Sequence, residues 1–181
     1  EVGDAEVDKT LDVLRKQRAT FAEVPGYWED AAEFIDGRGD DTRVLELPGT
    51  DFAAYRWGNT VDPITPGLID RPHVARELIP LGTPVSANLV NAIDRPLQEG
   101  TFDPDALGPL ARLIGAGDIL LRSDLEYERF RTPRPETTWA LLNSVPGLGE
   151  PVAFGPAEEN QPSEDLPLLD EIELATDQDL E

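Results

Sequence analysis

Two short apolar runs constrain this chain most: Arg43-Val-Leu-Glu-Leu-Pro-Gly49 and Asp118-Ile-Leu-Leu-Arg-Ser-Asp124. Each reads as a strand too brief to be a helix. Pro48-Gly49 stops the first, and the second ends in Arg122 and Asp124. The unbroken apolar character of Ile119 to Leu121 suits a central strand covered on both faces. Strands of this kind, set among helical segments, predict an α/β fold: a small mixed sheet flanked by helices, with an acidic C-terminal extension. The strands near 43–47 and 118–123 are expected to be parallel neighbours joined by a helical crossover. Later strands would extend the sheet as an antiparallel edge.

The helical segments follow from periodicity and caps. Val7, Leu11 and Leu14 share a face of a leading helix from Asp4 to Thr20, within residues 1–22. Trp28, Ala31, Ala32 and Ile35 do the same after Pro25-Gly26, and Leu89, Ile93 and Leu97 in Asn88 to Leu97. Asp103-Pro104 opens another helix as cap and first residue, with Leu107, Leu110, Ala111 and Ile114 inward. Thr50 to Asp70 reads as a long excursion, Val74 to Ile79 as a short helix and Tyr127 to Arg131 as a short helix or turn. Thr138 to Val145 and Pro151 to Phe154 read as strands, and Leu168 to Ala175 as a possible final strand. An α/β domain over 1–155 is expected, followed by an acidic linker and that strand over 156–181, frayed after Asp177.

Charge limits the function classes. The chain carries a net charge of -22 over 181 residues. Residues 1–134 hold 25 acids and 15 bases, whereas 135–181 hold 12 acids and no base. Such a surface repels nucleic acid and anionic lipid, so no nucleic-acid partner is expected. There is no cysteine and a single histidine, His73, which excludes a thiolate nucleophile and a multi-histidine metal centre. No cofactor or metal is expected. No run of about eighteen apolar residues is present to span a bilayer. The absence of an initiating Met, or of any Met, reads as a fragment of a longer protein.

The candidate site residues are Tyr55, Trp57, Asp62 and Arg71 in the excursion, with Arg122 and Asp124 at the second strand end. Aromatic rings stack on sugar faces while carboxylate and guanidinium take hydroxyls. On one strand, Arg122 and Asp124 would share a face. If the two strands are neighbours, these groups converge on one cleft at the sheet's carboxyl edge, a cleft suited to a neutral oligosaccharide. The same residues equally suit structural work, with Tyr55 and Trp57 plugging the core edge and Asp62 capping a turn. Asp103-Pro-Asp105 matches a metal-binding Asp-x-Asp pattern, but capping explains it more economically.

In order along the chain, Val24-Pro-Gly-Tyr-Trp28-Glu-Asp-Ala-Ala32, Arg43 to Gly49, Tyr55-Arg-Trp57-Gly58, Asp62, Arg71-Pro72, Ile119 to Leu125, Pro146-Gly147 and Phe154-Gly155 resemble the extracytoplasmic region of the actinobacterial membrane α-(1→3)-arabinofuranosyltransferases. That family builds cell-wall arabinan from a lipid-linked donor. The resemblance implies a soluble domain of a polytopic glycosyltransferase on the extracytoplasmic face of the membrane. Its partners would be the membrane portion of the parent protein and a cell-wall glycan acceptor. No residue maps onto the family's catalytic motif, so catalytic residues are unassigned and this segment is expected to support acceptor binding without catalysing. The alternatives are a non-catalytic structural or protein-interaction module and a freestanding carbohydrate-active enzyme.

Overall fold

The computed structural model describes residues 24–77, 83–130 and 132–160. Helix α1 (Gly26–Asp36) leads to strand β1 (Arg43–Leu47), hairpin strands β2 (Ala53–Tyr55) and β3 (Gly58–Val61), helix α2 (Thr65–Leu68) and strand β4 (His73–Val74). Helices α3 (Pro84–Gln98) and α4 (Pro104–Leu113), strand β5 (Ala116–Leu121) and helix α5 (Pro135–Asn143) follow. The architecture is α/β, with a small sheet flanked by helices.

The main sheet is three-stranded in the order β4-β1-β5. β1 pairs in parallel with both neighbours, Val44 opposite His73 on one side and Leu45 opposite Ile119 on the other. The two runs expected to be parallel neighbours are therefore adjacent, and α3 and α4 form the crossover from β4 to β5. The centre, however, is β1 and not β5. Four of the five β1 residues are buried, whereas every β5 residue keeps some exposure. β5 has a strand partner on one side alone among the described residues.

Alternation along β1 sends its side chains to two layers. Val44 packs with Ala32, Ile35 and Ile69 on the α1 side. Leu45 and Leu47 pack with Ile93, Leu97, Phe102, Leu107, Ile114 and Val145 on the other. The sheet is thus covered on both faces, as parallel strands require. Thr83 caps α3 by accepting from Ser86 N, and Asp103 caps α4 by accepting from Asp105 N at 3.0 Å. The Asp-Pro-Asp pattern is a helix cap here.

Other segments differ from expectation. Residues 135–143 form a helix, not a strand from Thr138 to Val145. Pro135 begins it with preset φ, and Thr138, Leu141, Leu142 and Val145 recur at helical spacing toward the core. Residues 151–154 carry no regular structure. The excursion after β1 contains the β2–β3 hairpin and α2. The expected helix at 74–79 is replaced by β4 at 73–74, and residues 78–82 lie outside the described residues. No described helix is long and apolar enough to cross a membrane. The expected leading helix and final strand lie outside the described residues, as does most of the linker.

Candidate functional site

The carboxyl ends of β1 and β5 meet the β2–β3 hairpin in a polar and aromatic cluster. β2 runs alongside the chain leaving β5: Arg56 N donates to Asp124 O at 2.7 Å and Glu126 N to Ala54 O at 2.9 Å. This pairing sets Asp124 among three aromatic donors. Its Oδ2 accepts from Tyr27 Oη, Trp28 Nε1 and Trp57 Nε1, each at 2.8 Å. Tyr55, fully buried, stacks on Trp57 with centroids 4.7 Å apart and meets Trp28 edge-on at 5.7 Å. Trp57 as a residue is only partly buried.

Burial, followed by the charge and hydrogen bond of Asp124, raises the Tyr27 phenol above its ordinary range. Burial likewise raises Tyr55, against the opposing charge of Arg122.

Arg122 lies in a different environment. β5 ends at Leu121, so strand alternation does not extend to Arg122 and Asp124 and they do not share a strand face. The Arg122 side chain is buried, donates through Nη2 to Pro48 O and lies 3.5 Å from Glu46 Oε2. Glu46 Oε2 also accepts from Thr65 Oγ1 at 3.0 Å, while His73 Nε2 lies 3.9 Å from Oε1. These groups join β1, β4, β5 and α2 at the level of the strand ends.

Asp62 is exposed just after β3, with its amide donating to Thr60 O. Arg71 sits at the opposite, amino end of the sheet. There it donates to Thr42 O at 2.8 Å and pairs with Asp118 at 2.7 Å. Tyr55, Trp57 and Asp124 are therefore brought together, Arg122 is buried close enough for its charge to act on Tyr55, and Asp62 and Arg71 stand apart.

Several residues of the cluster escaped sequence reasoning. Trp28 reads as part of an ordinary helix face, and Tyr27 carries no separate signal beside it. Glu46 is a charge inside an apolar run, a signal that could have marked a buried polar partner. Asp94, also buried, accepts from Gly49 N at 2.6 Å and Arg76 Nε at 2.5 Å, and holds the turn after β1. Gly49 is required there, because a Cβ would sit 2.6 Å from Arg76 Cβ. Among the described residues no group of three or more His, Asp or Glu side chains is arranged to hold a metal.

The sequence profile of the family described as "Alpha-(1->3)-arabinofuranosyltransferase, N-terminal GT-C domain" matches residues 7–179. The curated alpha-(1->3)-arabinofuranosyltransferase of Mycolicibacterium smegmatis is 33% identical over 137 residues, covering 75% of this chain and 10% of the relative. That of Mycobacterium tuberculosis is 32% identical over 140 residues, with the same coverage. The cryo-EM structure of arabinofuranosyltransferase AftD from mycobacteria superposes with a TM-score of 0.65 at 29% identity, over 75% of this chain and 11% of that one. The chain thus spans about a tenth of the length of these relatives. With a profile match along nearly its whole length and a shared fold, this chain belongs to the α-(1→3)-arabinofuranosyltransferase family.

Proposed function

We propose that this chain is an extracytoplasmic domain of a membrane arabinofuranosyltransferase of cell-wall arabinan synthesis, supporting the acceptor glycan without performing the transfer. The observation that carries the reading is the match of this region, with its own two-layered core, to a tenth of a much larger membrane enzyme. The membrane portion of the parent protein is its constant partner. The acceptor would meet the partly buried Trp57, whose stacking on Tyr55 holds its ring in one orientation. Arabinan is uncharged, so the acidity of this chain raises no electrostatic barrier to it.

Two measurements test this. Purified chain incubated with a lipid-linked arabinose donor and a synthetic arabinan acceptor should give no turnover; turnover above a heat-killed control overturns the non-catalytic role. An arabinan fragment titrated by NMR should bind wild type and lose affinity for a folded Trp57→Ala variant. Undiminished binding overturns the Trp57 contact.

One observation favours a second reading, a structural module. All three hydrogen bonds to Asp124 Oδ2 come from within the domain, so that oxygen is engaged in holding α1 and the hairpin together. In that case neither variant nor wild type binds glycan, and the Trp57→Ala change registers in stability alone.

A further inference from the structure

We propose that the carboxyl edge of the sheet carries a polar subsite for a pair of neighbouring sugar hydroxyls, and that Asn160 occupies it as an internal stand-in. The inference rests on the acceptor reading and adds to it a second contact, beside Trp57.

The subsite is made by three groups. Asn160 Nδ2 donates to Ser123 O at 2.6 Å and to Leu125 O at 2.9 Å, while its Oδ1 accepts from Arg56 Nε. Each of the three is positioned by contacts that do not involve Asn160. The two carbonyls belong to the segment paired with β2, including the Tyr55–Leu125 bridge. The Arg56 guanidinium is held by Glu128 Oε1 at 2.6 Å and lies 5.1 Å from the Tyr127 ring centroid. The Glu128 side chain is itself buried.

The occupant is carried by an irregular strap. Residues 151–160 have no regular secondary structure. They cross α1 with Phe154 against Phe34, centroids 5.4 Å apart, and with Gly155 on Tyr27. At Gly155, φ is +87° and a Cβ would lie 2.9 Å from Tyr27 Cγ, so the strap fits closely there.

The chemistry of the three groups is that of hydroxyl recognition. Two fixed acceptors and one cationic donor satisfy a carboxamide; they equally satisfy two hydroxyls that donate and one sugar oxygen that accepts. Trp57 Nε1 donates to Asp124, the residue between Ser123 and Leu125 that supply the two carbonyls, so an aromatic ring lies near the polar groups, the pairing that sugar rings need. Being tethered, Asn160 competes as an intramolecular ligand, which no free sugar at low concentration matches. The wild-type chain therefore masks this subsite, and vacating it exposes it.

The test is an NMR titration of wild type and Asn160→Ala with an α-arabinofuranosyl trisaccharide and, separately, with acetamide. The variant should bind the trisaccharide tighter than wild type, with shifts at Arg56 Nε and at the Asp124 and Glu126 amides, which share peptide units with the two carbonyls. Acetamide should move the same signals in the variant. Acetamide binding without trisaccharide binding overturns the sugar ligand and leaves the acceptor reading to the Trp57 titration. A folded variant that responds to neither probe overturns the subsite. If Asn160→Ala does not fold, the wild-type chain decides. Its Asn160 side-chain amide signals should move toward solvent-like positions at high trisaccharide concentration, and unmoved signals overturn the proposal.

Discussion

At Asp124, one carboxylate oxygen serves three aromatic donors, and its loss orphans all of them at once. Asp124→Ala should therefore destabilise the domain by about 2–3 kcal/mol, more than a single neutral hydrogen bond is worth. Urea unfolding followed by tryptophan fluorescence measures this; a loss below about 0.5 kcal/mol would place the cluster outside the cooperative core. The tyrosines make a second residue-scale prediction. All three phenols, Tyr27, Tyr55 and Tyr127, are raised above their ordinary range, in each case first by burial. A phenol that ionises later in the fold than in the unfolded chain lends stability that is complete below about pH 10 and is lost as pH climbs through the raised values. Absorbance at the phenolate band should stay low through that region in the folded chain, then rise together with unfolding. Early titration of all three phenols in a folded protein would contradict the buried cluster. At Gly49, an added Cβ would meet Arg76 Cβ at 2.6 Å and the hydrogen-bonded Asp94 carboxylate at 2.7 Å, so Gly49→Ala should cost about 1–3 kcal/mol.

Among elements, α4 joins the crossover to the core through Leu107, which is fully buried. Leu107→Ala should cost about 2–5 kcal/mol, the removed transfer energy plus the cavity left between α4 and the sheet. Thermal or urea unfolding checks it. The helix α5 teaches a different point. Trp139, Leu141 and Asn143 fit an alternating strand, but Thr138, Leu141, Leu142 and Val145 fit a helix equally well. Pro135 favours the helix, since its fixed φ suits the first helical turn. Trp139 then keeps 44% of its area exposed, away from the buried face of that helix. The strap 151–154 failed as a strand because no partner edge lies along it. Its apolar Phe154 instead finds Phe34 on α1.

Across the whole molecule, charge repulsion is the dominant long-range term. A net charge of -22 works against compactness, so raising salt from low ionic strength should raise the melting temperature by a few degrees as the Debye length shrinks. A melting temperature that falls with salt would mean that the interior ion pairs outweigh the surface repulsion. The chain itself determined its elements where local rules agree: apolar runs at 43–47 and 118–121, the α1 face at Trp28 to Ile35, and the Asp103-Pro104 cap. These depend on spacing and capping, which sequence carries directly. It also made the parallel pairing of the two runs legible, through their length and the helices between them. Tertiary structure alone decided which strand is central, because β4 is two residues long and leaves no periodic trace. It alone separated Arg71 from Trp57, since the two belong to one loop but to opposite ends of the sheet. It also brought Tyr27, Trp28, Trp57 and Asp124 to one oxygen across as many as 97 positions of chain. Local sequence encodes what a segment prefers; which distant side chains share an acceptor depends on how the layers pack, a property no single segment holds.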